Sequence, residues 1–371
     1  MLKAKKPAPV LFLIDDLNDW RGTETHLFRL FQVMDRNRIL PILAVIGRAK
    51  LANEFLSIGI RVEHLAFYKI FGLAGLRGLK KIIQLLNETH AKLIVTYHTS
   101  SDLLGPLSAL FVNNVRCLSC RRDEGFTKKN VHVKLQRHLN RFVTGMISVS
   151  HAVATAVNKI EGFSEDKIQV IWNGEDITKF TPVGPNCRRE LNIPLEAHVL
   201  ICVAGLVAIK DHFTLLRAFR SLRDKFLDLF LLVVGDGPEK NNLQTEFADL
   251  KDSVFFLGHR DDIPDLLRTC DIYVQTSLSE GFSNAIVQAM ACGLPIVATS
   301  VGGNNELINS DCGYLVHPKC PKKTAEVLEI LLVDENLRKK MGKLARLRVE
   351  VNCSIEEMAR EYIDVLESVI S

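Results

Sequence analysis

The chain is 371 residues long, 47% hydrophobic and 24% charged, the proportions of an ordinary globular protein with length enough for two domains, each with its own core. A formal net charge of +4 argues against a dedicated nucleic-acid binder, and no run approaches the roughly 18–20 uninterrupted apolar residues that cross a bilayer. The charge is unevenly divided: residues 1–180 carry 26 Lys and Arg against 16 Asp and Glu, the remainder 21 against 27, so the first half is the one expected to meet an anionic surface.

The start, Met1-Leu2-Lys3-Ala4-Lys5-Lys6-Pro7, is basic like a signal peptide, but the apolar run Val10 to Ile14 meets Asp15-Asp16 at once, which predicts a first strand rather than an export signal. From there strand-like runs alternate with amphipathic stretches, the pattern of parallel-sheet α/β units. In the first half strands are expected at Val10–Ile14, Leu40–Ile46, Arg61–Leu65, Leu93–Thr96, Val115–Ser119, Met146–Val149 and Ile168–Ile171. In the second half they are expected at Val199–Val203, Leu229–Val234, Val254–Leu257, Ile272–Gln275, Pro295–Ala298 and Gly313–Leu315. Phe180-Thr181-Pro182-Val183-Gly184-Pro185 reads as the seam, giving domains 1–182 and 183–352, followed by a last segment 353–371 that is an amphipathic helix from Ser354.

Nine cysteines scattered among strand-like runs fit reduced thiols in a cytoplasmic protein. Cys117-Leu118-Ser119-Cys120 has CxxC spacing, but no second pair accompanies it, which weighs against zinc or redox chemistry. Asn87-Glu88-Thr89 and Asn352-Cys353-Ser354 are glycosylation sequons by spelling only.

Three segments carry chemistry. After the first strand, Arg21-Gly22-Thr23-Glu24 leads into a helix, and Gly22 has no Cβ to hold a phosphate away. After Val199–Val203 comes Lys210, just before a helix start, where its charge suits a pyrophosphate. Ser279-Glu280-Gly281-Phe282-Ser283-Asn284 then joins a carboxylate, a glycine turn and a helix N-terminus, whose amides favour anionic or hydroxylated ligands.

In order, these segments resemble the retaining GT-B glycosyltransferases of family 4. The resemblance rests on Glu280-Gly281-Phe282-Ser283-Asn284, Gln288-Ala289-Met290-Ala291-Cys292-Gly293-Leu294-Pro295 and Val301-Gly302-Gly303-Asn304-Asn305-Glu306. Supporting matches are Arg21-Gly22-Thr23-Glu24, Ile171-Trp172-Asn173-Gly174 with Phe180, Lys210-Asp211, and Val234-Gly235-Asp236-Gly237-Pro238. It implies two Rossmann-like domains facing a cleft, a last helix crossing back to the N-terminal domain, and a nucleotide-sugar held by the C-terminal domain. Lys210 would bind the donor pyrophosphate, Glu280 the sugar hydroxyls, and Gly281, Phe282, Ser283 and Asn284 would line the sugar and phosphate. Gly22 and Thr23 would approach from the opposite domain. His98 matches in placement a family histidine beside the donor sugar, a position that equally suits a hydrogen-bonded structural residue. Glu24, Arg121 and Arg122 are candidates for the acceptor or a phosphate, a solvated cluster being the alternative for the arginines.

Two positions depart from the family. A second glutamate that accepts from the ribose is Gln288 here, so Gln288→Glu is expected to tighten donor binding. The arginine common near Gly205 or Val207 is also absent, and Arg121 or Arg122 is the candidate replacement. No Asp-x-Asp occurs, so no cofactor or metal is called, and leaving-group charge would fall to Lys210 and backbone amides.

The stretch Lys69 to Ile83 combines apolar residues with a basic face; contact with an anionic membrane and ordinary packing with its lysines in water are the two readings. The expected protein is thus a cytoplasmic, metal-independent glycosyltransferase, peripheral on the inner face of the membrane in the first of these readings. It would move a sugar from a UDP or GDP sugar to a glycan or lipid-linked acceptor of cell-surface polysaccharide or glycolipid synthesis, without nucleic acid. The alternatives are a catalytically degenerate binding or assembly subunit and an epimerase or phosphorylase on the same architecture.

Overall fold

The structure is a computed structural model that describes residues 6–123 and 130–371; the basic start, Met1 to Lys5, lies outside the described residues. The chain divides into two compact units, unit 1 comprising residues up to Gly174 together with Ile355–Ser371, and unit 2 comprising Glu175–Ser354.

Unit 1 contains β1 (Ala8–Ile14), β2 (Ile39–Val45), β3 (Arg61–His64), β4 (Leu93–Thr96), β5 (Arg116–Arg121), β6 (Gly145–Ser148) and β7 (Ile168–Val170). They form one sheet in the order β3-β2-β1-β4-β5-β6-β7, with every pairing parallel. Helices cover both faces of such sheets, which is why β1 and β4 read as unbroken apolar runs and their hydrophobic side chains are almost fully buried.

Unit 2 repeats the plan with β8 (His198–Val203), β9 (Leu229–Val234), β10 (Val254–Gly258), β11 (Ile272–Gln275), β12 (Ile296–Thr299) and β13 (Gly313–Val316), ordered β10-β9-β8-β11-β12-β13 and again parallel. All thirteen expected strands form, with every end within two residues of the one expected. In each sheet the strand order turns back at one place, between β1 and β4 and between β8 and β11. Ligands of open α/β sheets bind beyond the carboxyl ends of the strands at such a switch point.

The domain boundaries expected at 182 and 352 fall instead at 174 and 354. The proline-rich seam is not a free linker, because it packs into unit 2: Phe180 is buried, the Cys187 amide donates to Thr269 Oγ1 at 2.7 Å, and Arg268 Nε donates to the Pro185 carbonyl at 2.7 Å. The last helix, Ile355–Ile370, belongs to unit 1, where Ile355, Met358, Ala359, Tyr362, Ile363, Val365 and Leu366 join the core with Phe12, Leu27 and Phe31.

Candidate functional site

In unit 2 the loops beyond β8 and β11 are tied together. The Leu278 amide donates to the Ile209 carbonyl and Thr276 Oγ1 to the Asp211 carbonyl, both at 2.8 Å. Lys210 ends a short 3-10 turn, and Asp211 follows with φ 45°, a left-handed residue that turns the chain into the helix His212–Arg223 and caps it through the Thr214 amide. Two glycines permit this loop to sit low: a Cβ at Gly237 would lie 2.3 Å from the Leu206 carbonyl oxygen, and one at Gly235 would lie 2.2 Å from that of Ala204.

The loops bring Lys210 Nζ to 2.6 Å from Glu280 Oε1. The same oxygen accepts from Ser277 Oγ at 2.6 Å and Gln275 Nε2 at 2.5 Å. Gln275 is itself fixed, since its Oε1 accepts from Tyr273 Oη at 2.8 Å and Ser283 Oγ at 3.0 Å. Ser283 Oγ in turn caps the helix Asn284–Ala291 by accepting from the Ile286 amide. Glu280 is therefore held in a low-dielectric site, 8% exposed, with Oε1 occupied by three donors; Oε2 has no hydrogen bond among the described residues and is the oxygen available to a ligand hydroxyl. Burial, and then the charge of Lys210, pushes His212 down to about 4, so it is neutral beside the lysine and adds no second cation.

On either side of the capping serine, Gly281, Asn284, Ala285 and Gln288 are half-exposed, while Ile286, Val287, Ala289 and Met290 are buried. Gln288 lies on the half-exposed face of its helix one turn beyond Asn284, and its Nε2 donates to Glu175 Oε2 at 2.7 Å.

Unit 1 gathers its candidates at its own switch point. Asp15, at the end of β1, accepts from the Ser100 and Ser101 amides at 2.8 and 2.7 Å, fixing the start of the helix Thr99–Leu110. The residue before that helix, His98, has φ 142°, a conformation costly for any residue but glycine, and its Nε2 lies 3.2 Å from Thr23 Oγ1. Gly22 opens the helix Gly22–Val33, with nothing within 4 Å of the position a Cβ would take. Glu24, one turn in, is 6% exposed, and its Oε2 has no partner among the described residues.

Arg121 corrects the sequence reading. It is 4% exposed and held by Asp102 at 2.6 Å, Glu161 at 2.9 Å and Ser119 at 2.6 Å, so it is an internal charge compensating two buried carboxylates and neither meets a phosphate nor replaces the missing arginine. Arg122 is partly exposed and donates to Asn173 Oδ1 at 2.8 Å.

Cys117 and Cys120 lie buried on β5, and burial pushes both thiols up, Cys120 to about 12, which leaves them unreactive. Cys187, Glu190 and Asp262 converge as metal ligands would, but Arg260 already bonds both carboxylates, at 3.1 Å to Glu190 and 2.7 Å to Asp262. Sequence reasoning missed Gln275, Ser277, Asp15 and Glu175. The first three sit at strand ends, where polar residues interrupt apolar runs, and that was the available signal. Glu175 left none, since its partner is 113 residues away.

Two family descriptions match the chain: glycosyl transferases group 1 over residues 185–348 and glycosyltransferase family 4 over residues 18–179. Among curated relatives, the chain is 30% identical to an N-acetyl-alpha-D-glucosaminyl L-malate synthase of Bacillus anthracis, over 60% of this chain and 59% of that protein. It is 26% identical to a UDP-Gal:alpha-D-GlcNAc-diphosphoundecaprenol alpha-1,3-galactosyltransferase of Escherichia coli, over 65% and 66% respectively. The match thus spans somewhat under two thirds of the length of these relatives. Among solved structures, HepE of Anabaena in complex with UDP aligns with a TM-score of 0.87 at 22% identity, covering 97% of this chain and all of that one. A glycosyltransferase from Rickettsia africae aligns with a TM-score of 0.88 at 20% identity, covering 98% and 99%. These likenesses establish a two-domain GT-B fold.

Proposed function

The chain belongs to the group 1 glycosyltransferases of family 4, and on that footing we propose that it moves a sugar from a UDP or GDP sugar to a glycan or lipid-linked acceptor. The observation that carries the reading is the Lys210–Glu280 pair at the switch point of unit 2. A diphosphate entering there meets the Lys210 ammonium, which compensates the charge that develops as the bond to the sugar breaks. Glu280 Oε2 accepts from a sugar hydroxyl and fixes the ring for attack. The reaction retains anomeric configuration and uses no protein nucleophile, so both residues act by position and charge. We further propose that it proceeds without a metal ion. The E. coli relative is named for a lipid-diphosphate acceptor, which supports a lipid-linked acceptor here.

Membrane contact belongs to the same proposal. No helix among the described residues is long and apolar enough to cross a membrane. The helix Gly72–Thr89, however, turns Leu73 and Leu76 outward at 76% and 63% exposure, next to exposed Arg77 and Lys80 and close to exposed Phe71, a surface suited to an anionic lipid face. The alternative of a degenerate binding subunit rests on Gln288 and on the missing arginine near Gly205 or Val207. Calorimetric titration with UDP, GDP and ADP, first in EDTA and then with Mg²⁺, tests the reading. Saturable binding of one nucleotide in EDTA is expected, with donor turnover reduced about a hundredfold in Lys210→Ala. Nucleotide binding without turnover would favour the binding subunit, and no binding by folded protein would remove the transferase reading.

A further inference from the structure

Glu175 is a buried carboxylate, 1% exposed, with no part in the reaction described above. Its amide donates to the Cys353 carbonyl at 2.9 Å, its Oε1 accepts the Asp176 amide at 3.1 Å, and its Oε2 accepts Gln288 Nε2 at 2.7 Å. A carboxylate only accepts, so the Gln288 side chain must present its NH2 to Glu175 and turn its oxygen away. That oxygen has no hydrogen bond among the described residues, and Gln288 lies on the half-exposed face of its helix one turn beyond Asn284. The bond also polarises the amide: donating to a carboxylate enriches the amide oxygen, which becomes a stronger acceptor.

We propose that Glu175 is a positioning residue that locks the Gln288 amide with its oxygen toward the ligand, so that the helix offers a fixed, charge-assisted acceptor to the ribose hydroxyls of the donor. The pair together does what one carboxylate at position 288 would do, with the charge displaced one hydrogen bond inward. The proposal rests on the donor-binding reading given above. It also reverses the sequence expectation for Gln288→Glu. A carboxylate at 288 would face the Glu175 carboxylate at hydrogen-bond distance, and two such groups cannot both ionise without a large penalty.

The test is calorimetric binding of UDP and GDP, each beside its 2′,3′-dideoxy counterpart, to wild type, Glu175→Gln, Gln288→Glu and the double exchange. Wild type is expected to prefer the ribonucleotide by about tenfold, and Glu175→Gln to lose most of that preference because the amide is free to turn. Gln288→Glu is expected to weaken the ribonucleotide about tenfold, because the new carboxylate meets that of Glu175. The double exchange, Glu175→Gln with Gln288→Glu, restores an amide–carboxylate pair with its ends reversed and should recover affinity to within about threefold of wild type. A full ribose preference in Glu175→Gln, or Gln288→Glu binding more tightly than wild type, overturns the proposal and leaves the donor site standing. Failure of wild type to bind either nucleotide overturns both. If Glu175→Gln does not fold, the comparison of Gln288→Glu with the double exchange decides.

Discussion

Single residues in this protein derive their roles from which atom of each group is already spoken for. Glu280 keeps one carboxylate oxygen open because three donors converge on the other, whereas Arg121, the more conspicuous charge in the sequence, is consumed by Asp102 and Glu161. His212 shows how the same burial sets a pH response. Its folded-state value of about 4 lies below the ordinary 6.5, so the unfolded chain binds the extra proton in that interval. The contribution to stability is fully present above about pH 6.5 and is lost as pH falls through the folded value, a change on the order of a few kcal/mol. His26, buried and lowered by burial first and then by nearby arginines, acts in the same direction. Urea midpoints are expected to fall between about pH 7 and pH 4.5, with a shallower slope in His212→Phe. An unchanged slope in that variant would place the effect in other groups.

Elements acquire function from the face they leave open. The helix Gly72–Thr89 approaches the preceding loop along a glycine edge: a Cβ at Gly78 would lie 2.5 Å from the Phe67 ring, and one at Gly75 would lie 2.1 Å from the Ile70 carbonyl oxygen. That close approach seats the small residues inward and leaves Leu73 and Leu76 outside, while Ile82, Leu85 and Leu86 are buried further along. Apolar content alone therefore did not reveal which half of the helix faces water. Replacing Leu73 and Leu76 together by glutamate is expected to lower sedimentation with phosphatidylglycerol vesicles by about tenfold or more while leaving nucleotide affinity unchanged. Equal sedimentation of wild type and variant would assign this surface another role. The Ser283-capped helix was more legible, because a serine cap, a glycine turn and a flanking strand are all local signals.

At the scale of the whole molecule, the last helix shows how far sequence order departs from spatial membership. Residues Ile355–Ile370 bury seven side chains in the core of unit 1, with Tyr362 against His26 and Tyr97 nearby. At about 1.5 kcal/mol or more for each, removing them would cost on the order of 10 kcal/mol, comparable to the whole stability of a domain. A chain ending at Cys353 is therefore expected to lose the unfolding transition of unit 1 and keep that of unit 2, as followed by calorimetry. Two transitions at their original temperatures would mean that the helix is dispensable.

The sequence by itself determined the thirteen strands, the parallel α/β class, and the Lys210, Glu280 and Ser283 segments, because each rests on hydrophobic periodicity or on turn and cap residues within a few positions of one another. Only the tertiary structure decided that the proline-rich seam packs into unit 2, that Arg121 is spent internally, and that Glu175 faces Gln288. Those outcomes depend on contacts between residues tens to more than a hundred positions apart, where burial and competition for hydrogen-bond partners, rather than local pattern, assign each charge its place.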